Sequence, residues 1–281
     1  MIQVFEKIVV GWNDSRSSQR ALDWAVELAS GVPLFVVHVI PGRQLSSEYL
    51  RDVGRLAEAR IHVMEATDQV RAAHPELRLT TATVHGDPLP ELEEYVTGGT
   101  LVVVGVRTHG RPGRWTLGGR LAGGPGPGAV AIIPDDYNSD ERAGVIVGVD
   151  GSAASFEAIG VGIDHAEREG EDLTLLHAWR PPAVWEGAYN EYADDLKVTE
   201  DMHQQVLDDA LEFARSRGAA PRGRLEQGGA AEVIRDAARG ASLLIVGSHG
   251  RGWVGRFLLG SVSQDVLLTI TSPTIVVRPA E

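Results

Sequence analysis

The chain repeats itself once, and that repeat limits the folds open to it more than any other feature. Lys7–Ala29 (KIVVGWNDSRSSQRALDWAVELA) resembles Gly144–Ala166 (GVIVGVDGSAASFEAIGVGIDHA). Pro33–Pro41 resembles Leu173–Pro181, Thr100–Gly119 resembles Ser242–Ser261, and Ala129–Pro134 resembles Thr274–Pro279. The fragments keep their order and lie far apart within each half, so the repeating unit is a whole domain rather than a short solenoid motif. A length of 281 residues agrees, since single cores stop growing at roughly 250–300 residues. Domains of 1–138 and 143–281 follow, with the polar, turn-rich stretch Pro134–Gly144 as linker.

Within each half, short apolar runs such as IVVG, LFVVHV, LRLTTATV and TLVVVG alternate with helix-period segments. Runs rich in Val, Leu and Ile with little alternation suit strands buried on both faces, as in parallel sheets. The expectation is α/β: two tandem doubly wound domains, each with five parallel strands, right-handed crossovers and helices on both faces. In VTEDMHQQVLDDALEFARSR, Met202, Val206, Ala210 and Phe213 fall at helical spacing and are expected to face one sheet.

Composition excludes several functions. Lys plus Arg is 26 against 39 Asp plus Glu, a formal charge of −13. A nucleic-acid-binding face needs a basic stripe, and an anionic membrane surface attracts basic segments; neither partner is expected, and the acidity reads as solubility. The absence of cysteine removes thiol nucleophiles, Cys-based zinc sites, iron–sulfur clusters and disulfides. No basic-then-apolar N-terminal segment and no run of about 18 apolar residues occurs, so neither a signal peptide nor a membrane-spanning helix is expected, and the cytoplasm is the expected compartment. The only lysines, Lys7 and Lys197, do not follow a glycine loop, which rules out a Walker A phosphate loop.

In an open doubly wound sheet, ligands bind beyond the carboxyl ends of the strands, where strand order reverses. In the second half those places are Asp150-Gly151-Ser152, Ala178-Trp179 and the loop Gly247–Ser263. The loop has Gly247 and Gly250, then nine residues, then Gly260-Ser261-Val262-Ser263. Glycines let main-chain amides approach a phosphate with no Cβ in the way. Ser261, three residues before Gln264, has the form of a capping box opening a helix whose N-terminus would suit an anion. Arg251 and Arg256 would add charge. Asp150 also reads as turn chemistry before Gly151. His38 and His177, inside apolar runs, read as core histidines; His109 and His249 border the loops without a partner carboxylate at a useful spacing, so neither reads as an acid. Trp179, Trp185, Tyr189 and Tyr192 read as a loop packed on its own domain, with a ligand lid or a contact between domains as the alternative.

The spacing G-x2-G-x9-G-[S/T] after a fourth parallel strand is similar to the ATP-binding motif of the universal stress protein family. VGVDGS, LLHAW, GSHGRG and SPTIVVRP resemble the same family, in the family's order, and the resemblance covers nearly the whole chain, once per half. It implies strand order 3-2-1-4-5 in each domain. It further implies that Asp150 touches the adenosine, that the Ala178 backbone lies by the adenine, and that Gly247, Gly250, Gly260, Ser261, Val262 and Ser263 hold ribose and phosphates. With Gly151, Ser152, His249 and Arg251 these form the candidate cofactor-binding set; no catalytic and no metal-ligand residue is assigned. The implied ligand is ATP, with ADP or AMP as alternatives and Mg2+ as an accompanying ion. The implied function is a nucleotide-binding stress-response regulator or sensor with an unidentified protein partner. The alternatives are a tandem scaffold for protein–protein interaction or a slow nucleotide hydrolase. The family's pairing through fifth strands implies a monomer with an internal pseudo-dimer, or a homodimer.

The first half departs from the motif. Asn13 stands where Asp150 stands, Gly105–Gly110 is two residues longer than its counterpart, and Gly119 precedes Arg120 rather than Ser or Thr. RLAGGPGPGAVAIIP reads as glycine and proline replacing a helix. With no helix end to receive phosphate, this half is expected to bind ATP poorly or not at all.

Overall fold

The computed structural model describes residues 5–42, 49–108, 116–138, 142–182, 193–250 and 259–280. The chain divides into two compact units, Gln3–Tyr137 and Asn138–Pro279. The first runs β1 (Lys7–Trp12), α1 (Arg16–Leu28), β2 (Leu34–Ile40), α2 (Tyr49–Ala73), β3 (Leu79–His85), α3 (Pro88–Glu93), β4 (Thr100–Val106), α4 (Leu117–Ala122) and β5 (Gly128–Pro134). Its strands are parallel in the order β3-β2-β1-β4-β5. The second runs β6 (Val145–Gly148), α5 (Ala153–Glu169), β7 (Leu173–Trp179), α6 (Ala193–Ser216), β8 (Arg222–Gln227), α7 (Ala230–Ala238), β9 (Leu243–Gly247), α8 (Ser261–Leu267) and β10 (Thr274–Arg278). Its order, β8-β7-β6-β9-β10, is the same winding. The expected doubly wound α/β fold and strand order are therefore present in each unit. No described helix is long and apolar enough to cross a membrane.

Burial explains the apolar runs and one departure from them. Leu101–Val104 of β4 and Val130–Ile133 of β5 are buried, as strands covered on both faces must be. β3 and β8 lie at an edge of each unit's winding and keep most residues partly exposed. In β8, Arg222, Arg224 and Glu226 put charge there, which discourages pairing with foreign strands.

The helices follow from caps and stripes. α1 opens at Ser15, whose Oγ accepts from the Ser18 amide at 3.2 Å while Ser18 Oγ accepts from the Ser15 amide at 3.1 Å. It buries Ala21, Leu22, Trp24, Ala25 and Leu28. On α6 the inward face is only partly the expected one. Met202 is 67% exposed, whereas Ala210 is buried as expected, within a stripe made of Leu207, Ala210, Leu211 and Ala214. Those four fall at i, i+3, i+4 and i+7, a fuller apolar stripe than the one through Met202 and Val206. α4 is the larger correction: the first unit does keep a short helix here. Thr116 caps it by accepting the Gly119 amide at 3.1 Å, and Gly118 is buried against Ile132, where a Cβ would lie 2.7 Å from Ile132 Cγ1. Poor helix propensity is overridden by a cap and by close packing.

His165 on α5 gives the second unit an acid-sensitive point. Burial, and then the Arg168 charge, push its pKa down to about 4; Arg168 donates to its Nδ1 at 3.2 Å, so the folded state holds the neutral ring. In the unfolded chain the ring titrates near about 6.5. The depressed value means stability is full above about pH 6.5 and is lost as pH falls towards 4. Chemical denaturation of the intact chain between pH 7 and 4 should show this loss in the second unit, and His165→Gln should flatten it. An equal slope in that variant would reject the assignment.

Candidate functional site

At the carboxyl end of the second sheet, β6 and β9 are neighbours although five elements of chain separate them, and there the strand order reverses. A cleft of about 140 Å3 opens at that point. Gly148 to Asp150 after β6, Leu176 to Ala178 of β7, and Val246 and Gly247 of β9 form its base. Ala230 and Ile234 of α7 close one side, and His249, Gly250 and Gly260–Ser263 close the other. The described carboxylate on the lining is Asp150.

Backbone geometry brings these segments together. Asp150 Oδ1 accepts the Ser152 amide at 2.9 Å, and Gly151 takes φ +75, a turn that a side chain would strain. A Cβ at Gly250 would lie 2.6 Å from Asp150 Oδ2, so the loop reaches the carboxylate because that residue has none. The Gly260 amide donates to the Ser248 carbonyl at 2.7 Å, which folds the start of α8 back onto the end of β9. Ser263 Oγ donates to the Gly247 carbonyl at 2.6 Å and fixes the same junction.

Of the candidate residues, Asp150, Ala178, Gly247, His249, Gly250, Gly260, Ser261, Val262 and Ser263 line the cleft. Gly151 and Ser152 do not. The Ser152 hydroxyl caps α5 by accepting the Ser155 amide at 3.2 Å and donates to the His249 carbonyl at 3.3 Å, so it ties the two loops together. Arg251 and Arg256 lie outside the described residues, as do Trp185, Tyr189 and Tyr192. The expected capping box at Ser261 does not form. Gly260 is the N-cap, no side chain caps α8, and Ser261 is its first residue. The sequence pattern placed the cap one residue late, and among the described residues no side-chain hydrogen bond caps the start of α8.

One wall of the cleft was not foreseen. Ile234 supplies an apolar wall from α7; its buried place on that helix is the signal that could have found it. His177 lines the cleft too, yet it is a satisfied core histidine as expected. Its Nδ1 donates to the Val149 carbonyl at 2.7 Å and its Nε2 meets His203 Nδ1 at 2.8 Å. His203 also stacks on the buried Trp179, with ring centroids 5.3 Å apart.

The first unit has a cleft in the matching place, of about 370 Å3. Strand register puts Gly11 opposite Val104 and, one residue on, Gly105 opposite Ile133. In the second unit Gly247 lies opposite Val277. Counting on from Ile133 and Val277, Asp135 holds the position of Pro279. Residues 109–115 of the first unit's loop are outside the described residues.

The sequence pattern of the universal stress protein family matches residues 5–120 and 143–278. A universal stress protein of Mycolicibacterium smegmatis is 32% identical over 289 residues, spanning 97% of each chain. One from Mycobacterium tuberculosis is 32% identical over 296 residues, spanning 96% of each. The crystal structure of a universal stress protein from Archaeoglobus fulgidus shares the fold with a TM-score of 0.68 at 19% identity, over 97% of this chain and 98% of that one. The chain belongs to the universal stress protein family and carries the family's domain twice.

Proposed function

We propose that the second unit binds an adenine nucleotide, ATP in the first place, and that the protein acts in the stress response as a nucleotide-dependent regulator rather than as a fast catalyst. The observation that carries this is the cleft at the reversal of strand order, lined by Asp150, Ala178 and the glycines 247, 250 and 260. Its volume, about 140 Å3, is close to that of a cavity that takes one benzene-sized ring, about 150 Å3. That suits a base on the apolar surface of Leu176, Ala178, Ile234 and Val246, with the rest of the ligand reaching out of the cleft. Asp150 would accept from a ribose hydroxyl. The main-chain amides at Gly250 and at the start of α8, which no side chain caps among the described residues, would meet the phosphates. Among the described residues no group of three potential ligands gathers for a metal; Mg2+ would come with the phosphates, near Asp150.

The test is a thermal melt of the intact chain with and without ATP and Mg2+. A ligand at a hundred times its Kd adds about 2.7 kcal/mol to the state that binds it, so the second unit's transition should move up by several degrees. Protein denatured by heat after purification should release an adenine nucleotide into the supernatant. An unmoved transition and a nucleotide-free supernatant would leave the scaffold function in place of this one.

A further inference from the structure

We propose that the outer edge of β3 is a docking surface for a second copy of this chain, two β3 strands pairing antiparallel about Ala82. This edge belongs to the first unit alone and stands whether or not the second unit binds ATP.

Register shows which main-chain groups the edge leaves open. β3 ends the strand order, and β2 is its sole strand neighbour among the described residues. At one end of that pairing the Leu34 amide donates to the Arg78 carbonyl at 3.0 Å; at the other the Gly86 amide donates to the Ile40 carbonyl at 3.1 Å. Along a strand, successive residues turn their amide and carbonyl to opposite sides, so the even-numbered residues of β3 bond to β2. Thr81, Thr83 and His85 therefore aim theirs away from the sheet. Among the described residues no main-chain hydrogen bond reaches these outward groups. Leu79, also odd-numbered, turns its amide back to the Leu77 carbonyl at 3.0 Å. Thr80 is exposed and the other six residues of β3 are half-buried, so solvent reaches the strand along its length.

A row of outward donors and acceptors fits one kind of partner, another extended backbone. The sequence of β3 suits its own copy. Leu79–His85 (LTTATVH) contains no Asp, Glu, Lys or Arg, so two chains of formal charge −13 can meet there with no like charges in the ladder. β8, the matching strand of the second unit, has Arg222, Arg224 and Glu226 instead. An antiparallel pair centred on Ala82 overlaps the whole of β3. Thr81 then exchanges hydrogen bonds with Thr83 of the second copy, and Leu79 pairs with His85 of the second copy, so the outward groups are the ones that bond. Ala82 lies opposite itself at a non-bonded position, where the strands come closest and a small side chain fits. Threonine opposite threonine is a favourable cross-strand pair.

The experiment is sedimentation velocity of the full-length chain over a range of concentrations. The parent should shift from one chain to two as concentration rises. Thr83→Pro removes an outward amide that β2 does not use, a place where an edge strand accepts proline. It should self-associate at least tenfold more weakly, with an unchanged far-UV circular dichroism spectrum. Ala82→Lys and Ala82→Glu should each stay single alone and pair when mixed, which separates this register from a dimer made elsewhere. The chain has no cysteine, so Ala82→Cys places one thiol at the centre of the pair, and oxidation should join two chains through it. If Thr83→Pro lost its spectrum, the Ala82 mixture alone would decide. The proposal is overturned if the parent stays a single chain up to its solubility limit or if folded Thr83→Pro pairs as tightly as the parent. It is equally overturned if the mixture of Ala82→Lys and Ala82→Glu chains pairs no better than either alone. A parent that stays single yet binds a synthetic LTTATVH peptide would have an edge open to foreign strands and not to its copy, and would also overturn it.

Discussion

Gly260→Asp is expected to lower the affinity for ATP at least a hundredfold while the second unit stays folded. Gly260 has φ −59 and ψ 151, backbone open to any residue. A Cβ there would lie 3.2 Å from the Ser248 carbonyl oxygen and 3.5 Å from His249 Cα, so the neighbours give by tenths of an ångström rather than clash. Aspartate is also among the best N-cap residues, and α8 has no side-chain cap to lose. The same carboxylate would accept the first amides of α8 and repel phosphate. A hundredfold loss is about 2.8 kcal/mol. Gly260→Ala adds the Cβ without the charge and should cost only a small part of that. Equal losses in the two variants would mean that space, and not the amides, limits binding.

The largest effect on stability is expected at Gly105. A Cβ there would lie 1.9 Å from the Ser17 carbonyl oxygen and 2.2 Å from its carbon, both backbone atoms in the first turns of α1. Nothing flexible can move aside, so Gly105→Ala must lift α1 off β4 and uncover Ala21, Leu22 and Ala25, which are fully buried. Overpacking of this kind costs about 3 kcal/mol or more, a large part of the roughly 5–15 kcal/mol that holds a domain folded. At the matching Gly247 the nearest atom to a Cβ is Ala154 Cβ at 2.8 Å and the nearest backbone atom is 3.1 Å away, so the overlap is smaller and Gly247→Ala should be milder. Urea unfolding of each variant measures both. A loss below about 1 kcal/mol for Gly105→Ala would contradict this packing.

The duplication, the alternation of apolar runs with helices and the glycine spacing were enough to give the α/β class, and the family resemblance added the strand order. These rest on patterns that repeat over many residues. What escaped the sequence depends on a few atoms that meet across long separations. The Pro- and Gly-rich stretch of the first unit hid α4, because propensity is local and the helix is held by the Thr116 cap and by Gly118 against Ile132. Ser261 had the right spacing for a cap, but the chain turns at Gly260, where its amide binds Ser248. The inward face of α6 was placed only in part: Ala210 is buried, but Met202 is apolar yet exposed, and hydrophobic spacing alone does not weigh a side chain against a fuller stripe one position away. The pairing of Asp135 with Thr108 joins residues that no motif connects.

Calorimetric titration of the intact chain with ATP tests most directly whether nucleotide is held by the second unit. One ATP per chain, lost with Gly260→Asp, is the expected result. Two equivalents in the parent chain, or one that survives Gly260→Asp unweakened, would contradict it.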